Sequence, residues 1–202
     1  MQSIDLSLDG YTDLPPGKIA NVATFLKMTE APSNAPIAGP PGLSVRHLPA
    51  PTPAWYRDLY RRIGESWLWF SRAVMADADL AAILADPKTE ILALETDGRA
   101  IGLAELYWHD RSEVEIAMFG VVPEATGTGA ARFLMETALS RAFAAGVGRV
   151  WLHTCTFDHP AALRFYRRRG FRPYKFAIEV SDDPRLKGFL PVSAGPHVPL
   201  IG

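Results

Sequence analysis

Val-Val-Pro-Glu-Ala-Thr-Gly-Thr-Gly-Ala-Ala, residues 121–131, follows a β-rich run that begins near residue 113 and leads into a run of helical periodicity that ends at Gly146. The pattern predicts a strand, a tight loop and then a helix. Gly127 and Gly129 reach backbone conformations closed to other residues and let a ligand touch bare main chain. The first amides of a helix have no partner within it and sit at the positive end of its dipole, so this loop suits phosphate oxygens. A P-loop would end in Gly-Lys-Ser/Thr, whereas this one ends Gly129-Ala130-Ala131. A dinucleotide fingerprint would need a third glycine where Arg132 stands and a carboxylate near Arg149, and neither is present. A glycine-rich turn that merely joins strand to helix is the plainer reading of the loop taken alone.

A second stretch decides between them. Residues 158–171 read Asp-His-Pro-Ala-Ala-Leu-Arg-Phe-Tyr-Arg-Arg-Arg-Gly-Phe: a helix with a polar cap, proline in its first turn and glycine just past its end. Ala162, Tyr166 and Gly170 fall on one helical face. Together the two stretches resemble the signatures of the GNAT N-acetyltransferases. The first runs Val-x-Pro into Gln/Arg-x-x-Gly-x-Gly/Ala, represented here by Val121, Pro123, Thr126, Gly129 and Ala131, with Thr126 in place of the usual Arg or Gln. The second, Asn-x-x-Ala-x-x-x-Tyr-x-x-x-Gly-Phe, is met by Ala162, Tyr166, Gly170 and Phe171, with His159 replacing Asn. The run Trp-Leu-His-Thr-Cys-Thr at 151–156 is similar to a bacterial branch of that family. The resemblance covers roughly residues 43–180.

What the resemblance implies is an α/β (α+β) GNAT acyl-CoA N-acyltransferase fold: a central mixed, mostly antiparallel sheet, splayed between its fourth and fifth strands, with helices on both faces. Acyl-CoA would lie in the gap. Backbone groups of Phe119 and Val121 would pair with the pantetheine amides. The N–H groups of Thr126, Gly127, Thr128, Gly129, Ala130 and Ala131 would hold the pyrophosphate, and His159 and Ala162 would complete the CoA site. The core-packing reading of Phe119 and Val121 is compatible with this, because backbone and side chain do different jobs.

Moving an acyl group from a thioester to an amine needs a neutral amine, a polarised carbonyl and a proton for the leaving thiolate. By the resemblance, Tyr166 supplies that proton; otherwise it packs its helix onto the sheet. Glu115 is the expected base, with Glu113, Glu105 and His153 as competitors, each of which also reads as an ordinary sheet residue. Cys155 reads as a small strand hydrophobe. No His-x-x-x-His or clustered His/carboxylate spacing suggests a metal. Trp67, Trp69, Tyr107 and Trp108 are the expected walls of an acceptor pocket, with core or lid packing as the alternative role.

Composition narrows the partners. The chain has 202 residues, a net charge of −1 and no Lys/Arg run, which gives no nucleic-acid footprint and no polybasic membrane anchor. No apolar run approaches the ~18 residues of a membrane span. The acidic opening, with Asp5 and Asp9, does not read as a signal peptide. One cysteine rules out an intrachain disulfide, and a cytoplasmic location is the expectation. The expected partners are therefore acetyl-CoA and a small-molecule or peptide amine.

Prolines at 15, 16, 32, 36, 40 and 41 mark residues 1–42 as an extension, with a strand-like alternation at 19–28 and a linker or wrapping strap over 31–42. The domain is expected over 43–180: a short strand, helices from Pro53 and Asp77, and a hairpin turned at Asp97-Gly98. A returning strand completes a meander, and the strand from Val150 runs parallel to it after a helical crossover. Residues 181–202, with Pro184, Pro191, Pro196 and Pro199, read as an extended tail whose apolar end packs on the N-terminal extension or on a second copy in a homodimer. The expected activity is direct acetyl transfer from acetyl-CoA to a primary amine. A non-catalytic acyl-CoA sensor and a nucleotide-binding oxidoreductase are the alternatives.

Overall fold

Residues 5–32 and 39–201 are described by a computed structural model; the middle of the expected linker and the first four residues lie outside that range. Strand β1 (Lys18–Met28) and strand β2 (Leu43–Leu48) precede helices α1 (Pro53–Gly64) and α2 (Asp77–Ala85). A meander of β3 (Thr89–Thr96), β4 (Arg99–Trp108) and β5 (Glu113–Val121) leads through α3 (Ala130–Ala144) to β6 (Arg149–Cys155), α4 (Ala162–Arg168) and β7 (Arg172–Asp182). All seven strands form one sheet in the order β2-β3-β4-β5-β6-β1-β7. Only β5 and β6 are parallel, as the intervening helix requires. No described helix is long and apolar enough to cross a membrane.

Local chemistry accounts for most element ends. The Thr52 side chain accepts from the Trp55 N–H and Pro53 opens α1, which satisfies one orphan donor and needs no other. The face of Tyr56, Leu59, Tyr60 and Ile63 is buried. Asp97 and Gly98 both have positive φ, 48° and 75°, as a two-residue hairpin turn demands. Helix α2 differs from expectation at its start: Ala76 is the cap residue and Asp77 the first helical residue, its carboxylate drawn to Arg57. Helix α4 is shorter than the sequence suggests, with Ala161 rather than Asp158 at its cap.

The larger correction concerns β1. The proline punctuation sets residues 1–42 apart, yet β1 lies inside the sheet, antiparallel to β6 on one side and to β7 on the other. Ile19, Asn21, Ala23, Leu26 and Met28 are all buried. Among the described residues strand β7 pairs only with β1, so it depends on this N-terminal segment for its ladder hydrogen bonds.

The tail is also more folded than an extended strap. It turns repeatedly, and Leu190, Ala194 and Val198 pack with Ile19, Leu68 and Phe157 in a second small core. Within it the buried Arg185 bonds Asp183 at 2.7 Å and donates to the carbonyls of Ala194, Val198 and Pro199. A buried guanidinium is tolerated only when its donors are satisfied in this way.

Under α1 lies a polar network. Glu105, 1% exposed, accepts from Arg72 at 2.5 Å and from the Tyr56 hydroxyl. Tyr60 shares a hydrogen bond with Ser71 at 3.1 Å. Burial pushes the Tyr60 phenol from the usual 10 up to about 12, and burial followed by the Glu105 charge pushes Tyr56 well up too.

Two outcomes are expected. A chain lacking residues 1–28 should lose its cooperative thermal transition and near-ultraviolet dichroism, because β7 then has no partner; a retained sharp transition would contradict the role given to β1. Tyrosines of the unfolded chain ionise from about pH 10 while folded Tyr60 keeps its proton to about pH 12. The stability tied to that proton is therefore complete below pH 10 and is lost through pH 10–12. Melting temperatures measured across that range should fall, and less steeply in Tyr60→Phe.

Candidate acyl-transfer site

Strands β5 and β6 keep company for three steps only, Glu113–Arg149, Val114–Val150 and Glu115–Trp151. Beyond them they separate. The cause lies in β5, where the pairing with β4 slips between Leu106–Ile116 and Glu105–Met118, leaving Ala117 as an extra residue. A bulge of this kind bends the strand that carries it. From Ile116 to Val121 the β6-facing edge of β5 has no partner strand among the described residues.

At the end of that free edge stands the glycine loop. Gly127 and Gly129 have φ of +80° and +92°, the left-handed region that favours glycine. The amides alternate in their use. Thr126 donates to Pro123, Thr128 to Ala125 and Ala130 to the Thr128 hydroxyl. Those of Gly127, Gly129, Ala131 and Arg132 find no acceptor among the described residues. The donors open to an anion are thus Gly127, Gly129 and the consecutive pair Ala131 and Arg132 rather than the continuous set expected over 126–131, and Arg132 is one that sequence reasoning passed over. Four unpaired amides at the entry to the fifteen-residue α3 have the chemistry that suits phosphate oxygens.

One side of the gap is closed by Trp69. Room for its indole comes from two glycines: a Cβ on Gly64 would lie 2.3 Å from the indole, and one on Gly120 would lie 3.1 Å from it and 2.5 Å from Ile63. The Trp69 Nε1 donates to Asp158 at 3.0 Å, so the ring spans from β5 to the turn after β6. Asp158 also accepts from the Thr154 hydroxyl at 2.7 Å and the Cys155 amide at 2.9 Å. Asp158 was expected only as a helix cap; its present role depends on a tryptophan 89 residues away. The chain turns at Leu68, held in the left-handed region at φ 51°. Trp67 is thereby left between His159, at 4.9 Å, and His197 from the tail, at 5.3 Å. His197 is a second residue that the sequence did not suggest.

Tyr166 lies on α4, 7% exposed, its ring against Phe119, Phe165 and Phe171. Phe119 in turn stacks on Phe165 at 5.8 Å. Burial, and after it the Asp158 charge, holds the Tyr166 phenol far above the ordinary range. Such a hydroxyl is a donor at every physiological pH. Ala162 is in the first turn of α4, its N–H on the His159 carbonyl at 2.8 Å. His159 is exposed and its Nδ1 accepts from Ala161 at 3.0 Å.

The carboxylates sort by their partners. Glu105 is committed to Arg72 and Tyr56, and Glu113 to Trp151 at 2.8 Å and Arg149 at 3.1 Å. Glu115, at the last paired step before the gap, has one side-chain partner among the described residues, His109 at 3.1 Å. Glu115 shares a sheet face with Tyr107 and Trp151, its cross-strand neighbours. Around it runs a row of rings: Tyr107, His109, Trp151 and Phe25 at centroid spacings of 4.8, 5.7 and 6.1 Å, with His153 5.3 Å from Phe25. Trp108 points to the face opposite Tyr107 by strand alternation and packs against the main core, away from the position expected of an acceptor wall. Burial, reinforced by Asp158, pushes the Cys155 thiol up to about 11, which removes the thiolate a nucleophile would need.

Comparison with known proteins speaks to family and fold. The model of the acetyltransferase (GNAT) family matches residues 51–171. An uncharacterized N-acetyltransferase of Mycobacterium tuberculosis is 38% identical over 103 residues, 51% of this chain and 65% of that protein. The mycothiol acetyltransferase of Cellulomonas flavigena is 29% identical over 200 residues, covering 86% of this chain and 56% of that protein. The chain thus spans less than two thirds of the length of these curated relatives. Among solved structures, a GCN5-related N-acetyltransferase from Sphaerobacter thermophilus superposes with a TM-score of 0.56 at 20% identity, over 83% of this chain and 52% of that one, a likeness of fold.

Replacing Asp158 by alanine should strand the Trp69, Thr154 and Cys155 donors together. A loss of about 2 kcal/mol in urea unfolding is expected, the usual scale for hydrogen bonds to a charged acceptor. An unchanged midpoint would mean that the carboxylate does not organise the gap.

Proposed function

This chain belongs to the GNAT acetyltransferase family, and we propose that it transfers an acetyl group from acetyl-CoA to a primary amine of a small molecule or peptide by direct attack. The observation that carries the reading is the free edge of β5 ending at four unpaired amides. An extended, amide-bearing chain terminated by a pyrophosphate fits such an edge and such a terminus together. Acetyl-CoA, when bound, supplies an activated thioester carbonyl.

The amides of Gly127, Gly129, Ala131 and Arg132 hold the pyrophosphate, and backbone groups of Phe119 and Val121 align the pantetheine arm. Thr126, whose own amide is used internally, contributes through loop shape, as do Thr128 and Ala130. Trp67, Trp69 and Tyr107 bound the acceptor side. Glu115, with its single partner His109, takes the proton released as the amine nitrogen bonds to the carbonyl carbon. Tyr166 donates its proton to the thiolate as the C–S bond breaks, and the phenolate is reprotonated from solvent. Burial keeps the Tyr166 phenol protonated at physiological pH, so its proton is in place when the C–S bond breaks.

Titration calorimetry with acetyl-CoA and CoA, with NAD and ATP as controls, tests the binding half; saturable binding of the CoA ligands alone is expected. Thiol release with a panel of amines then tests the chemistry. Tyr166→Phe should bind acetyl-CoA as the wild type does and turn over about 100-fold more slowly. Unaltered turnover would remove Tyr166 from the mechanism, and binding without turnover on any amine would favour a non-catalytic acyl-CoA sensor.

A further inference from the structure

Strand β7 ends the sheet beyond β1 and, among the described residues, its outer edge has no partner strand. Phe176 is 72% exposed and Ile178 51%. An eleven-residue edge with apolar residues on it is a template for another strand unless it is blunted. Pairing with β1 slips at Tyr174, between Phe25–Lys175 and Leu26–Pro173, so the regular stretch begins at Lys175. In it Lys175, Ala177 and Glu179 lie on one face, opposite Phe25, Ala23 and Asn21, while Phe176 and Ile178 lie on the other.

The two charges are not ion-paired within the chain among the described residues. Lys175 rests 3.7 Å over the Phe25 ring and Glu179 accepts one hydrogen bond, from Asn21 at 2.9 Å. They stand symmetrically about Ala177 with opposite sign.

We propose that β7 pairs antiparallel with β7 of a second copy of this chain, about a two-fold axis at Ala177, so that the two sheets become one. The axis position follows from charge. Centred on Ala177, Lys175 meets the partner's Glu179 at both ends of the ladder, and Phe176 meets the partner's Ile178 twice on the other face. Centred one residue later, Lys175 faces serine and Glu179 faces alanine; one residue earlier, Lys175 faces alanine and Glu179 faces proline. Only one register pairs both charges and both apolar side chains. A two-fold interface must be self-complementary in this way, and opposite charges set directly across an antiparallel pair select register. The Tyr174 bulge ends the regular ladder on either side.

Sedimentation velocity over a wide concentration series tests the assignment, with a dimer expected at the upper end. Lys175→Glu sets glutamate against glutamate twice, and Glu179→Lys sets lysine against lysine twice. Each should weaken association about tenfold or more, the scale of two cross-strand pairs changed from attraction to repulsion. The double variant Lys175→Glu/Glu179→Lys should return association to the wild-type level. Because Glu179→Lys also removes an acceptor from Asn21, Phe176→Lys provides a second route: it changes only the open face and should also yield monomer, with melting temperature unchanged. A wild-type chain that is monomeric throughout, a dimer indifferent to Lys175→Glu and Phe176→Lys, or a folded double variant that associates no better than the singles would each overturn the proposal.

Discussion

The extra residue at Ala117 is the constraint on which the site depends. Below it, β5 and β6 are joined by backbone pairing; above it, β5 has turned away and its edge is left to find other partners. Parallel strands joined by a helix normally stay paired along their length, because each buried amide must be satisfied. A gap between two such strands is costly unless something else supplies the hydrogen bonds. The bulge therefore opens the gap and leaves along it an edge of backbone groups with no partner strand among the described residues.

The rest of the site is arranged to hold that gap at a fixed width. Gly64 admits the Trp69 indole where a Cβ would collide with it, and Gly120 leaves room for Ile63 and for the far edge of the indole. Asp158 anchors the far end of the ring while binding Thr154 and the Cys155 amide. On the other flank Phe119, Phe165, Tyr166 and Phe171 form a packed group of rings. That group buries the Tyr166 ring, and the Asp158 carboxylate adds its repulsion to the phenolate. One aspartate thus acts on both sides of the gap, mechanically through Trp69 and electrostatically on Tyr166.

Two distant segments support this centre. Strand β1 joins β6 to β7, and the tail closes over Ile19, Leu68 and Phe157 through the buried Asp183–Arg185 pair. The tail also brings His197 beside Trp67, so the rim of the site includes a residue from the last turn of the chain. Of the tail's apolar end, Val198 packs against the cluster that contains Ile19, while Leu200 and Ile201 stay exposed.

Features of short range were legible in the sequence. The positive-φ pair at Asp97-Gly98, the α1 start at Thr52-Pro53, the glycine loop before α3 and the register of Ala162 with Tyr166 follow from propensities and spacings that act within one turn or one strand. The order of strands and crossover from β2 to β6 follows from the same local signals plus the connection rule. What only the tertiary structure decided is of long range: β1 between β6 and β7, Trp69 reaching Asp158, Glu105 and Glu113 bound to other partners while Glu115 has only His109, and Trp108 turned to the core. Prolines on both sides of β1 record how the chain enters and leaves it but not which edge it seeks. An edge strand carries no mark of its partner, and a carboxylate acquires its role from neighbours that the fold assembles from remote parts of the chain.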